Sequence, residues 1–346
     1  SARIGGESKT EFILDFLIKG MKEEGADVEL VNIFKKKIHY CIGCFTCWSK
    51  TPGECVHKDD MTKDLFPRYM ASDLCILATP LFHYTVNANM KTFIERTLPF
   101  VLPFFELREG VTTHPLRQMP PPVAALSVAG FPEYSVFEQL SSYMNYLYGT
   151  QLKAEIYIPG AENLAQKIQK PQVKKVLDAI TQGGSELIRN KKISAGTMKR
   201  INTPTTDFKT MATLGNAFWQ TCIDEGVTPK EFYKREMVPR PNSLESFLTL
   251  MKEGFNPEKA DGFKGCYEFV FSGSHDGTCY FEIKNNEIHC GMGSASQPDI
   301  TITTPFEVWM DILTKKADGA EMFMAQKYTV EGDLDLLIKS GEFFGK

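Results

Sequence analysis

The sequence has little excess charge, no long apolar run and no low-complexity tract. Its 346 residues include 39 Lys and Arg and 43 Asp and Glu, which gives a formal net charge of −4 at pH 7. This balance provides no basic surface for nucleic acid, so we expect no nucleic-acid partner. No apolar segment approaches the ~20 residues that a membrane span needs, and no signal peptide is visible. We therefore predict a cytoplasmic protein, in which clustered cysteines indicate metal or redox chemistry before disulfides.

The sequence also lacks an initiator methionine and an apolar segment ahead of its first helical pattern. Residues 1–10 read SARIGGESKT, a polar, glycine-rich loop, and apolar residues then recur at helical spacing between Lys9 and Glu24. In a βα unit such a loop normally follows an apolar strand. We therefore predict that the chain is a fragment that begins just after its first strand. The alternative is a mature terminus with a short disordered arm.

Short apolar segments alternate with helical patterns as far as about residue 190. Because they alternate at short spacing, the pattern predicts a parallel sheet covered by helices on both faces. The predicted fold class is therefore α/β, with a doubly wound sheet. The strands are predicted at residues 28–33, 73–78, 122–129 and 154–158, and the helices at 9–24, around 90–98, around 137–147 and at 171–190.

The periodicity changes after residue 257. An amphipathic helix over Phe306–Leu313 follows a series of strands that alternate at period two, with Asn285-Asn286 as a two-residue turn. This order predicts a smaller α+β domain at residues 257–346, after a first domain at 1–190. Residues 191–256 are predicted to form a helical linker or small subdomain without chemistry. The predicted strands of the smaller domain are 266–271, 278–284, 288–292 and 299–303.

The loop at the start of the chain has the composition of an anion site. Its glycines allow the backbone to approach a ligand closely, and the helix that follows presents unpaired N–H groups and the positive end of its dipole. Helix capping is the alternative role for its hydroxyl groups. Since neither the P-loop motif nor G-x-G-x-x-G is present, the pattern favours the phosphate of a mononucleotide. The candidate phosphate-binding residues are Ser1, Arg3, Ser8, Lys9 and Thr10.

Two further loops follow predicted strands, at the edge where open α/β sheets bind ligands. The first carries two aromatic rings and a histidine, which suit a flat ring, and the second is its neighbour. The alternative is that both are simply polar connections. His83 is a possible proton donor, and we assign no other catalytic side chain. The candidate cofactor-binding residues are Thr79, Pro80, Leu81, Phe82, His83, Tyr84 and Asn87 in the first loop, and Ser127, Val128, Ala129 and Gly130 in the second.

Four of the nine cysteines fall between residues 41 and 55. Cys41, Cys44, Cys47 and Cys55 have the spacing C-x2-C-x2-C-x7-C. This spacing favours an iron–sulfur cluster held by four thiolates, because structural zinc more often uses two separated C-x2-C pairs. A zinc site, a redox-active thiol pair and free cysteines without metal remain the alternatives. We interpret the other cysteines as core or incidental residues, namely Cys75, Cys222, Cys266, Cys279 and Cys290.

The combination of these motifs resembles the NADPH-dependent FMN reductase family, and within it the iron–sulfur flavoproteins. The similarity lies in residues 3–10, in the cysteine run through Met61, and in residues 79–84 and 130–133. It implies a flavodoxin-like fold, an FMN phosphate held by the first loop, an isoalloxazine ring lined by residues 79–84 with Asn87, and a third flavin loop at residues 127–130. It also implies a 4Fe–4S cluster on the four cysteines. The sequence departs from the family pattern at Ser8-Lys9, where asparagine often precedes the threonine.

The C-terminal part resembles the sterol-carrier-protein type of lipid-binding domain. The similarity lies in residues 255–260, in the Tyr-Glu-Phe strand, and in residues 297–302 and 327–333. It implies an apolar tunnel for a fatty acyl chain or another lipid. The alternative is that the same side chains form the core of the domain. The candidate lining residues are Trp309, Met310, Leu313, Met322, Phe323 and Met324.

The sequence leads to two hypotheses about function. The first is an FMN-dependent oxidoreductase, with NAD(P)H or a protein as electron donor and a 4Fe–4S cluster as relay to or from the flavin. We expect it to be a homo-oligomer with a small-molecule or protein redox partner, fused to a lipid-binding domain. The second is a lipid carrier whose flavodoxin-like part is a docking module without turnover. Bound flavin and NADPH consumption would support the first hypothesis, and bound lipid without flavin the second.

Overall fold

The chain divides into two compact units, Ser1–Phe208 and Lys209–Lys346. The computed structural model describes residues 8–108, 110–166 and 170–344. No described helix is both long and apolar enough to cross a membrane.

The first unit is built from alternating helices and strands. A single π-helical turn, Met61–Leu65, runs directly into the second helix. The helices are α1 (Lys9–Glu23), α2 (Phe66–Ala71), α3 (Ala88–Glu95), α4 (Glu138–Tyr148), α5 (Ala161–Gln166), α6 (Pro171–Asn190) and α7 (Ala195–Ile201). The strands are β1 (Cys75–Pro80), β2 (Glu106–Arg108), β3 (Val111–Thr113), β4 (Val123–Val128) and β5 (Leu152–Ile158).

The main sheet of this unit is parallel, with the strand order β1-β4-β5. All six residues of the central strand β4 are buried, as expected for a strand that is covered on both faces. One face packs against α1 and α6 through Leu126 and Ile156. The other packs against α3 and α4 through Ala125 and Tyr157. The predicted doubly wound α/β fold is therefore confirmed.

Two glycines set the approach of α1 to α6. A Cβ atom at Gly20 would lie 1.7 Å from the carbonyl oxygen of Thr181, and one at Gly184 would lie 2.1 Å from that of Leu17. The Ser185 hydroxyl donates a hydrogen bond of 3.0 Å to the Gly20 carbonyl. The two backbones thus lie closer together than any side chain between them would allow.

The strand predicted at residues 28–33 is wrong. These residues form an irregular segment that ends in a 3₁₀ turn at Ile33–Lys35, where the Asn32 side chain accepts a hydrogen bond from the Phe34 N–H. Within the described part of the chain, no strand lies beside them to supply ladder hydrogen bonds. Alternation of apolar side chains cannot make a strand without such a partner, because the backbone groups need a neighbour.

The second unit contains a five-stranded sheet and several helices. The helices are α8 (Phe208–Asp224), which begins at the unit boundary, α9 (Pro229–Lys234), α10 (Leu244–Gly254), α11 (Phe306–Leu313), α12 (Gly319–Met324) and α13 (Leu334–Phe343). The strands are β6 (Gly265–Ser272), β7 (Gly277–Lys284), β8 (Glu287–Met292), β9 (Ile300–Pro305) and β10 (Thr329–Gly332).

The strand order of this sheet is β10-β9-β6-β7-β8, with β6 and β9 parallel and the other neighbours antiparallel. Helix α10 contributes Phe247 to the core, where its ring contacts those of Phe269 and Phe271. Helix α11 contributes Met310 to the same core. The predicted strands, the helix at 306–313 and the Asn-Asn hairpin turn are confirmed, so this unit has the predicted α+β class.

Candidate functional site

The cysteine loop, residues 41–55, is folded by its own turns. The Trp48 N–H donates to the Phe45 carbonyl at 3.1 Å, and the Gly53 N–H donates to the Cys47 carbonyl at 2.9 Å. Phe45 has a φ of 52°, which places a bulky residue in the left-handed region. Together these turns bring the four thiols to one small pocket, which is also lined by His57, Arg96 and Pro99.

The four thiols of this pocket are not equivalent. Cys47 is buried, Cys41 and Cys55 are half-buried, and Cys44 is exposed. Burial raises the pKa of the Cys47 thiol, and the nearby Cys55, Cys41 and Cys44 add to this effect as neighbouring negative charges. The Thr46 hydroxyl donates to the Cys44 sulfur at 3.3 Å and lowers the pKa of that thiol. The thiols are therefore close enough to influence one another electrostatically.

The donor chemistry of these thiols bears on the kind of metal centre that they could hold. Among the described residues, no three His, Cys, Asp or Glu side chains are arranged to hold one metal ion. A mononuclear zinc site would require the sulfurs to converge to about 2.3 Å from a single centre. A cluster distributes its thiolates over several iron atoms, and soft thiolate ligands suit it. Four thiols around one pocket therefore fit the donor set of an iron–sulfur cluster.

A buried ion pair lies beside the cysteines. Arg96 follows α3, and its Nη1 and Nη2 donate to the Asp59 carboxylate at 2.7 and 3.0 Å. Arg96 also donates to the His39 carbonyl at 2.6 Å and to the Thr62 hydroxyl at 3.0 Å. Burial by itself raises the pKa of Asp59, but hydrogen bonds from Arg96 and from the backbone N–H groups of His39 and Thr62 outweigh it and lower that pKa strongly. The pair is therefore ionised, and four hydrogen bonds from Arg96 hold its guanidinium in place.

Sequence reasoning missed Arg96. The available signal was its position three residues after Phe93, on the apolar face of α3, where an arginine is rarely buried without a partner. The partner could not be identified from the sequence, because Asp59 lies 37 positions away.

The first predicted flavin loop leaves β1 and closes in a tight turn. Phe82 and Thr85 exchange two backbone hydrogen bonds of 3.1 Å, and the residues between them, His83 and Tyr84, have φ angles of 47° and 62°. This is a type I′ turn, which normally contains Asn or Gly. Phe82, His83 and Tyr84 are exposed, so their side chains are available to a ligand.

The base of that loop is held by buried polar groups. The Asn87 N–H donates to the Thr79 hydroxyl at 3.1 Å, and the Asn87 side chain caps α3 by accepting from the Met90 N–H at 3.0 Å. The Leu81 N–H donates to the Val128 carbonyl at 3.0 Å, which ties the first loop to the second. Pro80 is the last residue of β1. The structure thus brings the two predicted ring-binding loops together at the carboxyl edge of the sheet.

The second loop begins on β4. Ser127 lies between Thr79 of β1 and Tyr157 of β5 in the sheet register. Its hydroxyl is buried and makes no hydrogen bond within the described residues. Ala129 is also buried, and Gly130 is exposed. Because a buried hydroxyl normally has a hydrogen-bond partner, a group bound at the carboxyl edge of the sheet could supply the partner that Ser127 lacks.

Part of the predicted phosphate loop can be located. Ser1 and Arg3 lie outside the described residues. Ser8 caps α1, its side chain accepting a hydrogen bond of 3.1 Å from the Glu11 N–H, which is the alternative role considered for it. Thr10 is buried in the first turn of α1, and Lys9 forms an ion pair of 3.4 Å with Glu162.

The predicted lipid-site residues occupy different environments. Met310 is fully buried in the core of the second unit, and Trp309, Leu313 and Met322 are half-buried against that core. Phe323 and Met324 are exposed, the latter by 75%. Met310 therefore has the core role that was the alternative, and the rim of α11 and α12 carries the accessible apolar side chains.

Comparison with known proteins finds two separate matches along the chain. Residues 1–162 match the model of the NADPH-dependent FMN reductase family, and residues 244–344 match that of the SCP-2 sterol transfer family. Each match covers less than half of the chain. The FMN reductase segment includes the cysteine loop and both ring-binding loops, and the SCP-2 segment includes α10 and the whole five-stranded sheet.

Several individual proteins are similar to parts of the chain. An iron–sulfur flavoprotein of Archaeoglobus fulgidus is 46% identical over 98 residues, which are 28% of this chain and 42% of that protein. The iron–sulfur flavoprotein MJ0731 of Methanocaldococcus jannaschii is 33% identical over 87 residues, 25% of this chain and 43% of that protein. The chain thus spans less than half the length of either relative. An azoreductase from Bacillus anthracis superposes with a TM-score of 0.38 at 14% identity, over 54% of this chain and 93% of its own.

Proposed function

We propose that this protein is an FMN-dependent oxidoreductase in which Cys41, Cys44, Cys47 and Cys55 hold a 4Fe–4S cluster that exchanges electrons with the flavin. The observation that carries the proposal is the convergence of four thiols on one pocket in a chain with an FMN reductase segment. The names of the two archaeal relatives support the same kind of centre.

When bound, FMN would supply two-electron chemistry and the cluster one-electron transfer. The side chains of this chain have other roles. Phe82, His83 and Tyr84 would contact the ring of FMN, while Thr79 and Asn87 hold their loop in place. The hydroxyl of Ser127 would donate to the cofactor. The phosphate would lie at the start of α1, near Thr10; Ser1 and Arg3, which lie outside the described residues, are further candidate ligands from the sequence. Cys47 would anchor the buried side of the cluster and Cys44 its exposed side.

The electron donor is proposed to be NAD(P)H or a redox protein, and the protein is proposed to work as a homo-oligomer in the cytoplasm. The three-part division at residues 190 and 256 also stays a proposal. The family of the N-terminal segment, whose description includes NADPH, supports the nicotinamide as donor.

The test of the cluster is the metal content of the full chain after anaerobic purification. We expect about four iron atoms per chain and absorbance near about 400 nm that bleaches with dithionite. Cys47→Ser should abolish both signals. Cys290→Ser is the matched control, since Cys290 is half-buried in the second unit and should leave the iron content unchanged. Iron-free or zinc-loaded wild-type protein would refute the cluster, and retention of FMN by such protein would leave the flavin part standing.

We further propose that the second unit binds a fatty acyl chain or another lipid. The match to the SCP-2 family and the accessible apolar side chains on α11 and α12 support it. In a Trp48→Phe/Trp219→Phe background, Trp309 is the remaining tryptophan, and its fluorescence should change on titration with micromolar palmitate. Met322→Glu should abolish the change, while Ile223→Glu, at an exposed position on α8, should not. A constant signal in the background variant would contradict lipid binding.

A further inference from the structure

The buried ion pair and the fourth cysteine lie against each other. Arg96 is almost completely buried, and it lines both the cysteine pocket and a neighbouring cavity of ≈ 250 Å³. Cys55 lines the same two spaces. Arg96 therefore presents a fixed positive charge to the space that this thiol lines.

One N–H group of Arg96, that of Nε, takes no part in its hydrogen bonds. Nη1 and Nη2 are used by Asp59, the His39 carbonyl and the Thr62 hydroxyl. Nε is buried and has no hydrogen-bond partner within the described residues. A buried donor without an acceptor is rare in folded proteins and calls for an explanation.

The sulfur of Cys55 is the acceptor that fits. It lines the same two spaces as the guanidinium and interacts with it electrostatically and as a side-chain hydrogen-bond partner, while Nε still lacks a partner of good hydrogen-bond geometry. Asp59 holds the guanidinium by two hydrogen bonds, so Arg96 cannot turn away from the pocket. A small rotation of the Cys55 side chain toward the pocket would change its distance to Nε without moving the ion pair.

We propose that Arg96 is a positioning residue of the cysteine site, whose Nε–H donates to the Cys55 sulfur and whose charge stabilises the reduced form of the centre. The inference rests on the proposed function, because it requires the cluster. A centre with four thiolate ligands is anionic and becomes more so when it gains an electron, and hydrogen bonds to its sulfurs and nearby charges set its reduction potential. Asp59 fixes Arg96 and at the same time offsets part of its charge.

The test is a redox titration of the iron-loaded full chain, followed by absorbance. Asp59→Asn/Arg96→Met removes both charges and the N–H together, so that no unpaired charge stays buried. We expect the reduced state to be disfavoured about tenfold, a fall in midpoint potential of about 59 mV for a one-electron couple. Asp59→Asn alone leaves the positive charge of Arg96 without its buried carboxylate partner, and the midpoint potential of the cluster in this variant should rise. The control is Arg68→Met, which removes an arginine paired with Asp64 and Glu29 away from the pocket and should shift nothing.

The opposite signs of the two shifts are the decisive result, because a merely structural disturbance would move both variants in the same direction. Potentials that equal the wild-type value in both variants, at wild-type iron content, would overturn the role of Arg96 and leave the cluster in place. Should the double variant fail to fold, the sign of the shift in Asp59→Asn decides: a rise supports the inference, and a fall or no change contradicts it. Wild-type protein without iron would overturn the proposed function, and this inference with it.

Discussion

Two turns in this protein have the same backbone and different side chains. The hairpin of the second unit turns at Asn285-Asn286, with φ angles of 54° and 60°, and the first flavin loop turns at His83-Tyr84, with 47° and 62°. Asparagine tolerates the left-handed region best, histidine less well, and the bulky tyrosine is strained there. The second unit thus uses the residues that favour the turn. The first unit has two rings in a strained turn, which supports the proposed contact of these rings with FMN.

The first unit is expected to tolerate no added side-chain bulk where α1 crosses α6, in contrast to the strained turn of its flavin loop. Gly184→Ala tests this, because the added Cβ would meet the Leu17 carbonyl oxygen at 2.1 Å and force α1 and α6 apart. We expect a loss of about 3 kcal/mol in the free energy of unfolding. Gly196→Ala in α7 is the control, since nothing lies within 4 Å of its new Cβ. Urea unfolding followed by circular dichroism measures both, and equal stability of the two variants would contradict the close helix crossing.

Placing the side chains of the flavin-loop turn in the hairpin turn tests directly whether they strain this backbone. Asn285→His/Asn286→Tyr places the strained pair in the hairpin of the second unit, where no ligand is proposed. The left-handed backbone should then cost about 2 kcal/mol, roughly 1 at each position. Asn286→Gly is the control and should lose nothing, because glycine suits the second position of a type I′ turn. A hairpin that accepts His-Tyr without loss in urea unfolding would show that this sequence carries no strain in either turn.

Acidic pH is expected to lower the stability of the first unit, because the Glu186 carboxylate becomes protonated. Burial by itself raises the pKa of Glu186, but hydrogen bonds from the Ser194 N–H and the Thr197 hydroxyl, both 2.7 Å, outweigh it and lower the pKa from 4.5 to about 2. Because the folded value is depressed, this contribution is complete above about pH 4.5 and is lost as the pH falls toward 2.

Glu186→Gln should therefore destabilise the first unit by about 1 kcal/mol at pH 7 and by much less near pH 2. The difference in urea midpoint between wild type and variant, measured across this pH range, checks the expectation. Asp178→Asn, at an exposed carboxylate on the same helix, should show no such trend. A difference that persists unchanged at pH 2 would contradict the role of the ionised form.

The smallest effect is expected when residues that favour the turn replace His83 and Tyr84 in the flavin loop. His83→Asn/Tyr84→Gly relieves the strained turn, but the new glycine also gains conformational freedom in the unfolded chain, so stability should rise by only about 0.5 kcal/mol. The amount of FMN retained should fall, because two rings are lost. Thermal unfolding of the flavin-free protein and the flavin content after purification give the two readouts. Tyr146→Ala removes an exposed aromatic ring from α4 and should leave flavin content unchanged. Wild-type flavin content in the turn variant would mean that the rings serve another purpose.

Much of the fold follows from local pattern. The helix at 306–313 and the four predicted strands of the second unit agree with their observed bounds to within one or two residues, because β7 and β9 alternate between buried and more exposed side chains. The short edge strand β10, Thr329–Gly332, was not predicted. The apolar runs of β1 and β4 were equally recognisable. Residues 28–33 show the limit: their alternation is as regular as that of the true strands, but pairing is a property of the neighbour and not of the segment.

The candidate site was predictable in its cysteines and loops and not in its polar interior. The sequence by itself determined the spacing of four thiols, the aromatic turn after β1 and the type of each unit, because these depend on residues close together in the chain. Only the tertiary structure decided that Arg96 and Asp59 meet beside Cys55, that Ser127 lies between Thr79 and Tyr157, and that Met310 belongs to the core. The reason is that the packing of whole helices and strands determines which residues are buried and which distant residues pair. A local sequence pattern contains no information about that packing.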